Sequence, residues 1–187
     1  MLGELTSLED MLRAHGRERP DAPMANYDGA MVTYGQMDER SNRIANALLA
    51  EGVGRDCRIA LIDKNGLPLF ETLFGARKAG AVQIAVNWRL SAEEMAYVLA
   101  DSEARLAFVS SEFLPGLKKE CAARGISPRF IVLDGDDADY RDWYRRFDHG
   151  DPGERSEPDD VALQLYTSGT TGRPKGAMLM NRSIFAF

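Results

Sequence analysis

The stretch RIALIDKNGLPLFETLFGARKAGAVQIAV, residues 58–86, holds two short apolar runs on either side of a longer, mostly apolar segment. The runs Arg58–Asp63 and Ala81–Val86 have the length and branched side chains of buried strands. Between them, Leu67–Ala79 has the length of a helix, and Gly80 follows it as glycine commonly follows a helix end. The stretch therefore predicts one strand–helix–strand unit.

The same alternation continues along the chain. Further apolar runs are Arg105–Val109 and Arg129–Leu133, and successive runs start about 24 residues apart, which is the room that a parallel crossover needs. Other helices are predicted from a capping box at Thr33–Gln36 with a stop at Gly52, a second box at Ser91–Glu94, and a cap at Ser111 for a helix to Arg124, with Pro115 in its first turn. The fold class predicted is α/β, a mostly parallel sheet flanked by helices.

Acidic residues are concentrated in one segment. The chain has 187 residues and a net charge of −6, and eleven acids against four arginines fall between Asp134 and Asp160. We interpret residues 134–160 as a solvated acidic connection containing one short helix, Asp139–Phe147. The chain then divides into an N-terminal α/β subdomain (1–133), this connection, and a strand–loop–strand unit with the start of a next helix (161–187). Because no basic stripe is present, nucleic acid is excluded as a partner.

The composition predicts a cytoplasmic protein. No uncharged apolar run approaches the ~18 residues of a transmembrane segment, and the N-terminus is acidic where a signal peptide is basic. The two cysteines, Cys57 and Cys121, form neither a disulfide framework nor a metal cluster and are expected to be small apolar fillers.

A loop rich in glycine and hydroxyl groups is predicted at Ser168–Gly176, between the strands Val161–Thr167 and Ala177–Met180. Glycine permits positive φ and a close backbone approach to a ligand, and successive N–H groups can surround an anion. Composition alone leaves a phosphate-binding loop and a flexible Gly/Ser/Thr hairpin equally open. The candidate groups are the glycines Gly169, Gly172 and Gly176, the hydroxyls of Thr167, Ser168, Thr170 and Thr171, and the amine of Lys175.

Two familiar motifs do not fit this loop. A Walker A loop needs a glycine directly before its lysine and a helix after it, whereas Pro174 precedes Lys175 and a strand follows. A hydrolase nucleophile elbow needs glycines two residues before and after its serine, but Ser168 has Tyr166 and Thr170 there.

The segment YTSGTTGRPKG, residues 166–176, resembles the phosphate-binding signature of the adenylate-forming (AMP-binding) enzymes, which include acyl- and aryl-CoA synthetases, peptide-synthetase adenylation domains and luciferases. Val32–Met37 and Phe74–Val82 are similar to other motifs of that family, although Gln36 stands where glutamate is usual and Ala85 where proline is usual. Asn87–Leu90 is similar to the ending typical of acyl- and aryl-CoA ligases. The chain most resembles the N-terminal part of a fatty-acid–CoA ligase.

This resemblance implies ATP-dependent activation of a carboxylic acid to an acyl-adenylate and then to an acyl-CoA, with Mg²⁺. It assigns the phosphates to the loop, pyrophosphate charge stabilisation to Lys175, and a Mg²⁺ contact to Thr167. The main catalytic lysine of the family would lie outside this chain. The residues assigned to nucleotide binding are Thr167, Ser168, Gly169, Thr170, Thr171, Gly172 and Lys175.

The chain is accordingly expected to be an N-terminal fragment that is inactive alone. Its expected partners are a small carboxylic acid, ATP and coenzyme A, and an unpaired sheet edge would also permit a homo-oligomer. Two alternatives stay open: a non-catalytic nucleotide-binding or scaffolding module, and an aryl-acid CoA ligase or adenylation domain.

Overall fold

The computed structural model describes residues 5–167 and 174–185. Its elements are strands and helices in alternation, after an N-terminal helix and hairpin. In chain order they are α1 (Leu8–Glu18), β1 (Pro23–Tyr27), β2 (Ala30–Thr33), α2 (Tyr34–Ala50), β3 (Arg58–Ile62), α3 (Leu67–Lys78), β4 (Val82–Ala85), α4 (Ala92–Asp101), β5 (Leu106–Val109), α5 (Leu114–Ala123), β6 (Arg129–Val132), α6 (Tyr140–Arg145), β7 (Val161–Thr167), β8 (Lys175–Met180) and α7 (Asn181–Ile184).

A six-stranded sheet in the order β6-β5-β3-β4-β7-β8 forms the centre of the fold. The pairs β3–β4, β3–β5, β4–β7 and β5–β6 are parallel, and only β7–β8 is antiparallel. The α/β prediction is confirmed, and each predicted strand is present with ends that shift by at most two residues.

Side-chain alternation along the strands explains why helices cover both faces. On β3, Ile59 and Leu61 face one core with α2, α3 and α6, whereas Ala60 and Ile62 face a second core with α4 and α5. Because successive side chains of a strand point to opposite faces, a strand buried on both sides is apolar throughout. This is the pattern that the short apolar runs predicted.

The capping boxes predicted at Thr33 and Ser91 are both present, with reciprocal side-chain and backbone hydrogen bonds. The predicted cap at Ser111 is wrong. Its backbone N–H donates to Asp134 Oδ1 (2.7 Å), its carbonyl accepts a turn hydrogen bond from Leu114 (3.3 Å), and α5 begins only at Leu114 with Pro115 in its first turn. No described side chain caps α5, and Asp134 instead binds the chain three residues before the helix begins.

The acidic segment is more than a solvated connection. Its short helix is present as α6, and the helix buries Tyr140, Trp143 and Tyr144 in the core beside Phe108. The Trp143 indole N–H donates to Glu51 Oε1 at 2.6 Å, and the Tyr140 hydroxyl donates to Glu71 Oε2 at 2.9 Å. The interpretation as an exposed acidic face is wrong for these aromatic residues, which the surrounding charges concealed.

Two buried cations fix the helices on this face of the sheet. Lys78, fully buried, donates to Asp38 Oδ1 and Asn42 Oδ1 on α2, both at 2.6 Å. Arg77, 1% exposed, contacts buried Glu9 on α1 and donates to the carbonyl of Val161 at the start of β7 (2.8 Å). Burial lowers the pKa of Lys78, and the Asp38 carboxylate opposes that shift.

Among the described residues, no helix combines the length and apolar character needed to cross a bilayer.

Candidate functional site

The two strands that flank the glycine-rich loop form the end of the sheet. β7 lies between β4 and β8, and its last residue, Thr167, pairs with the first residue of β8, Lys175. β7 is parallel to β4, so Thr167 lies at the carboxyl edge of the parallel strands. Ligands of open α/β sheets bind outside this edge, which makes the mouth of the loop the candidate site.

The structure brings together the two predicted site residues that it describes. Directly opposed residues of an antiparallel pair have Cβ atoms about 5 Å apart, and both Thr167 and Lys175 are exposed. Lys175 makes no ion pair within the described residues, so its amine is available to an anion. Five other predicted site residues lie outside the described residues: Ser168, Gly169, Thr170, Thr171 and Gly172.

Lys175 lies on a strand and not within the loop. β8 begins two residues earlier than the predicted Ala177, because the ladder with β7 continues to the Thr167–Lys175 pair. A cation that belongs to a strand has a fixed backbone, which reduces the entropy lost when its amine binds a ligand. The same pairing places Gly176 opposite Tyr166.

Gly176 lies where an added side chain would meet two neighbouring side chains. Its φ is not positive, so the conformational freedom that glycine permits is not used at this position. A Cβ here would instead overlap the side-chain amide of Gln164 and would lie 3.1 Å from Tyr166 Cζ. The absence of a side chain lets the Gln164 and Tyr166 side chains cross the hairpin.

A hydrogen-bond network anchors both sides of the loop to the end of α4. The Tyr166 hydroxyl donates to Asp101 Oδ2 at 2.7 Å and accepts from Gln164 Nε2 at 3.3 Å. The Tyr97 hydroxyl lies 3.3 Å from Asp101 Oδ1 and 3.4 Å from the carbonyl of Pro174. One helix end therefore holds β7 immediately before the loop and the chain immediately after it.

This network could not be predicted from the glycine-rich motif, because its helical members lie far from the motif in the sequence. Tyr97 and Asp101 stand four residues apart on a predicted helix and so share one face, which was the only local signal. Burial raises the pKa of the Tyr166 phenol, and its hydrogen bond to the Asp101 carboxylate raises it further. Tyr166 therefore keeps its proton at neutral pH and remains a donor.

We expect Tyr166→Phe to lower the free energy of unfolding by about 1 kcal/mol at pH 7, because it removes a hydrogen bond to a carboxylate. The raised pKa means that folded Tyr166 keeps a proton that the unfolded chain loses above about pH 10, so wild-type stability falls there. The difference between the proteins should shrink at alkaline pH. Urea unfolding measures both effects, with Tyr27→Phe, about half exposed, as the control; equal losses in both variants would contradict this.

Thr167 is the described residue at this site that suits a magnesium ion. Mg²⁺ prefers hard oxygen ligands and commonly keeps waters and substrate phosphates in its shell, with few protein ligands. No cluster of three or more His, Cys, Asp or Glu side chains suited to a metal occurs among the described residues. The exposed hydroxyl of Thr167 fits a minor contact to an ion held mainly by phosphate oxygens.

A family model described as AMP-binding enzyme matches residues 12–187 of this chain. A fatty acid–acyl-carrier-protein ligase of Streptomyces coeruleorubidus is 40% identical over 98% of this chain and 34% of its own length. A 3-hydroxybenzoate–CoA/4-hydroxybenzoate–CoA ligase of Thauera aromatica is 37% identical over 82% of this chain and 30% of its own length.

The fold is similar to that of solved ligases. A fatty acyl CoA synthetase of Mycobacterium tuberculosis superposes with a TM-score of 0.83 at 27% identity, over 96% of this chain and 35% of that one. The chain spans about a third of the length of the relatives it matches.

Proposed function

This chain belongs to the AMP-binding enzyme family, and from that premise we propose that its protein uses ATP to activate a carboxylic acid and transfers the acyl group to coenzyme A. In the first step, a carboxylate oxygen bonds to the α-phosphorus of ATP and the bond to pyrophosphate breaks. In the second step, the thiol sulfur of coenzyme A bonds to the acyl carbon, AMP leaves, and the thiol proton passes to the medium.

The exposed Thr167–Lys175 pair at the carboxyl edge of the sheet carries this proposal. The first step joins two anions, so its barrier depends on groups that accept the charge developing on the departing pyrophosphate. Lys175, which has no acidic partner among the described residues, supplies that positive charge. Backbone N–H groups and hydroxyls of residues 168–172 would hold the β- and γ-phosphates beside it.

Magnesium would occupy the phosphate side of this site. When bound, it supplies positive charge to the phosphate oxygens of ATP. We propose the Thr167 hydroxyl as the protein ligand of this ion. The hydrogen bonds of Asp101 with Tyr166 and of Tyr97 with Pro174 would hold both sides of the loop in position around the ion.

We propose a fatty acid as the substrate. One observation supports this: a fatty acid–acyl-carrier-protein ligase is 40% identical to the chain. That relative also supports a second candidate acceptor, an acyl carrier protein. The hydroxybenzoate–CoA ligase that is 37% identical to this chain supports an aromatic acid as a second candidate substrate. The Asn87–Leu90 segment, similar to that of acyl- and aryl-CoA ligases, fits both classes of acid.

The proposal places the protein in the cytoplasm, together with its small-molecule substrates. The free thiols of Cys57 and Cys121 support this setting, since reduced cysteines are usual there.

ATP–pyrophosphate exchange by the full-length protein tests the function. Exchange that requires a carboxylic acid, is fastest with fatty acids, and is followed by thioester formation with coenzyme A would support the proposal. Parallel reactions test the two second candidates: a carrier protein replaces coenzyme A as the acceptor, and hydroxybenzoates replace fatty acids as the substrate. Residues 1–187 alone serve as a control that we expect to be inactive. Tight ATP binding without acid-dependent exchange would favour a non-catalytic nucleotide-binding module and contradict the proposal.

A further inference from the structure

A cavity of about 450 Å³ lies between α2 and α6, on elements other than the strands that flank the glycine-rich loop. Its volume falls within the range of small-molecule sites, roughly 300–1,000 Å³. The lining side chains are mostly cationic: Glu39, Arg40, Arg43, Arg141, Tyr144 and Arg145.

Two of the four arginines are already paired, and the pairing orients them. Arg40 contacts Glu71 at 2.8 Å, and Arg43 contacts Glu39 at 3.1 Å. Arg43 Nη1 also donates to the carbonyl of Phe147 at 2.7 Å, which fixes the guanidinium between the two helices. These two residues therefore form a rigid, nearly neutral wall.

The other two arginines are unpaired. The guanidinium groups of Arg141 and Arg145 make no ion pair within residues 5–167 and 174–185, and four residues of spacing place both on one face of α6. Two uncompensated positive charges then line one side of the cavity, although α6 belongs to an otherwise acidic segment.

Tyr144 completes the lining. Tyr144 is only 6% exposed, but its hydroxyl oxygen, which makes no hydrogen bond within the described residues, is still reached by solvent. Burial raises the pKa of this phenol, with Glu71 as a further cause, while Arg40, Arg141 and Arg145 oppose the shift. The hydroxyl is therefore a protonated donor in the field of the cavity arginines.

We propose that this cavity binds a dianionic phosphate group, either as the free ion or as the terminal group of a small phosphorylated molecule. Two unpaired guanidiniums match its two charges, and the planar fork of arginine matches phosphate oxygens in bidentate geometry. The Tyr144 hydroxyl donates to a third oxygen. The site is independent of the phosphate loop proposed above.

Calorimetric titration of the full-length protein tests this site, with inorganic phosphate and adenosine 3′,5′-bisphosphate as probes. We expect Arg141→Gln/Arg145→Gln to weaken binding at least about tenfold, and Tyr144→Phe about threefold, as the loss of charged and neutral hydrogen bonds predicts. Arg146→Gln is the matched control, because Arg146 is exposed on the same helix end and does not line the cavity. A preference for the bisphosphate would identify a phosphorylated molecule, and equal affinities would identify the free ion.

Lys175→Ala separates this site from the loop. Binding that survives Lys175→Ala but not the double α6 substitution supports the cavity, whatever the outcome of the exchange assay. Equal weakening by Arg146→Gln, or loss of all binding in Lys175→Ala alone, would overturn the proposal.

Discussion

Lys175→Ala is expected to slow acid-dependent ATP–pyrophosphate exchange by about a hundredfold to a thousandfold in the full-length protein. One charge contact at about 4 Å in a partly dry site is worth up to ~4 kcal/mol, and each 1.4 kcal/mol of transition-state stabilisation is about tenfold in rate. Because the pyrophosphate gains charge as it leaves, the loss should appear mainly in kcat, with a smaller change in the KM for ATP.

Two variants control this prediction. Lys118→Ala removes an exposed lysine on α5 and should leave exchange unchanged. Lys175→Arg keeps the charge and should recover part of the rate, because a guanidinium donates in a different geometry. A loss below about threefold in Lys175→Ala would remove the assigned role of this residue.

Asp38→Ala is expected to lower the free energy of unfolding by about 3 kcal/mol at pH 7, as removal of one partner from a buried ion pair typically does. Asp38 Oδ1 accepts from Lys78 Nζ at 2.6 Å, and the Lys78 side chain is fully buried. The substitution leaves that ammonium with Asn42 Oδ1 and the backbone carbonyl of residue 38 as neutral acceptors.

This loss should depend on pH. Burial already lowers the pKa of Lys78, and removal of Asp38 takes away the carboxylate that opposes the shift. At pH values between the lowered pKa of Lys78 in the folded protein and its pKa near 10.4 in the unfolded chain, the unfolded chain binds more protons. The free energy of unfolding therefore rises with pH in this range. The deficit of Asp38→Ala should therefore be largest at neutral pH and shrink towards pH 10 in urea unfolding. Glu39→Ala, which breaks an exposed pair with Arg43, should cost under about 0.5 kcal/mol; a similar loss in both variants would contradict the account.

The sequence predicted those parts of the fold that depend on local pattern. The strand Val161–Thr167 has the bounds that alternation indicated, and the capping boxes at Thr33 and Ser91 depend on side chains three residues apart. Such contacts lie within one turn of chain, so their geometry follows from spacing alone. The family resemblance of the glycine-rich segment assigned Thr167 and Lys175 to one candidate site, and the structure pairs these two residues across the hairpin.

Contacts between distant segments could not be predicted in this way. Ser111 had the residue type of a cap, yet its N–H donates to Asp134 on a different loop. Trp143 lies among acidic residues, but its burial depends on Phe108 and on Glu51. Tyr97 meets Pro174 only because α4 lies beside the Tyr166 end of β7. Each depends on tertiary packing, which overrides local propensity and charge.

The central claim is that the Thr167–Lys175 mouth holds the terminal phosphates of ATP. A crystal structure of the full-length protein with Mg·ATP, in the absence of an acid substrate, tests it most directly. The account predicts the β- and γ-phosphates within hydrogen-bond distance of Lys175 Nζ, with the metal on the Thr167 side. Phosphates bound away from residues 167–175 would contradict it.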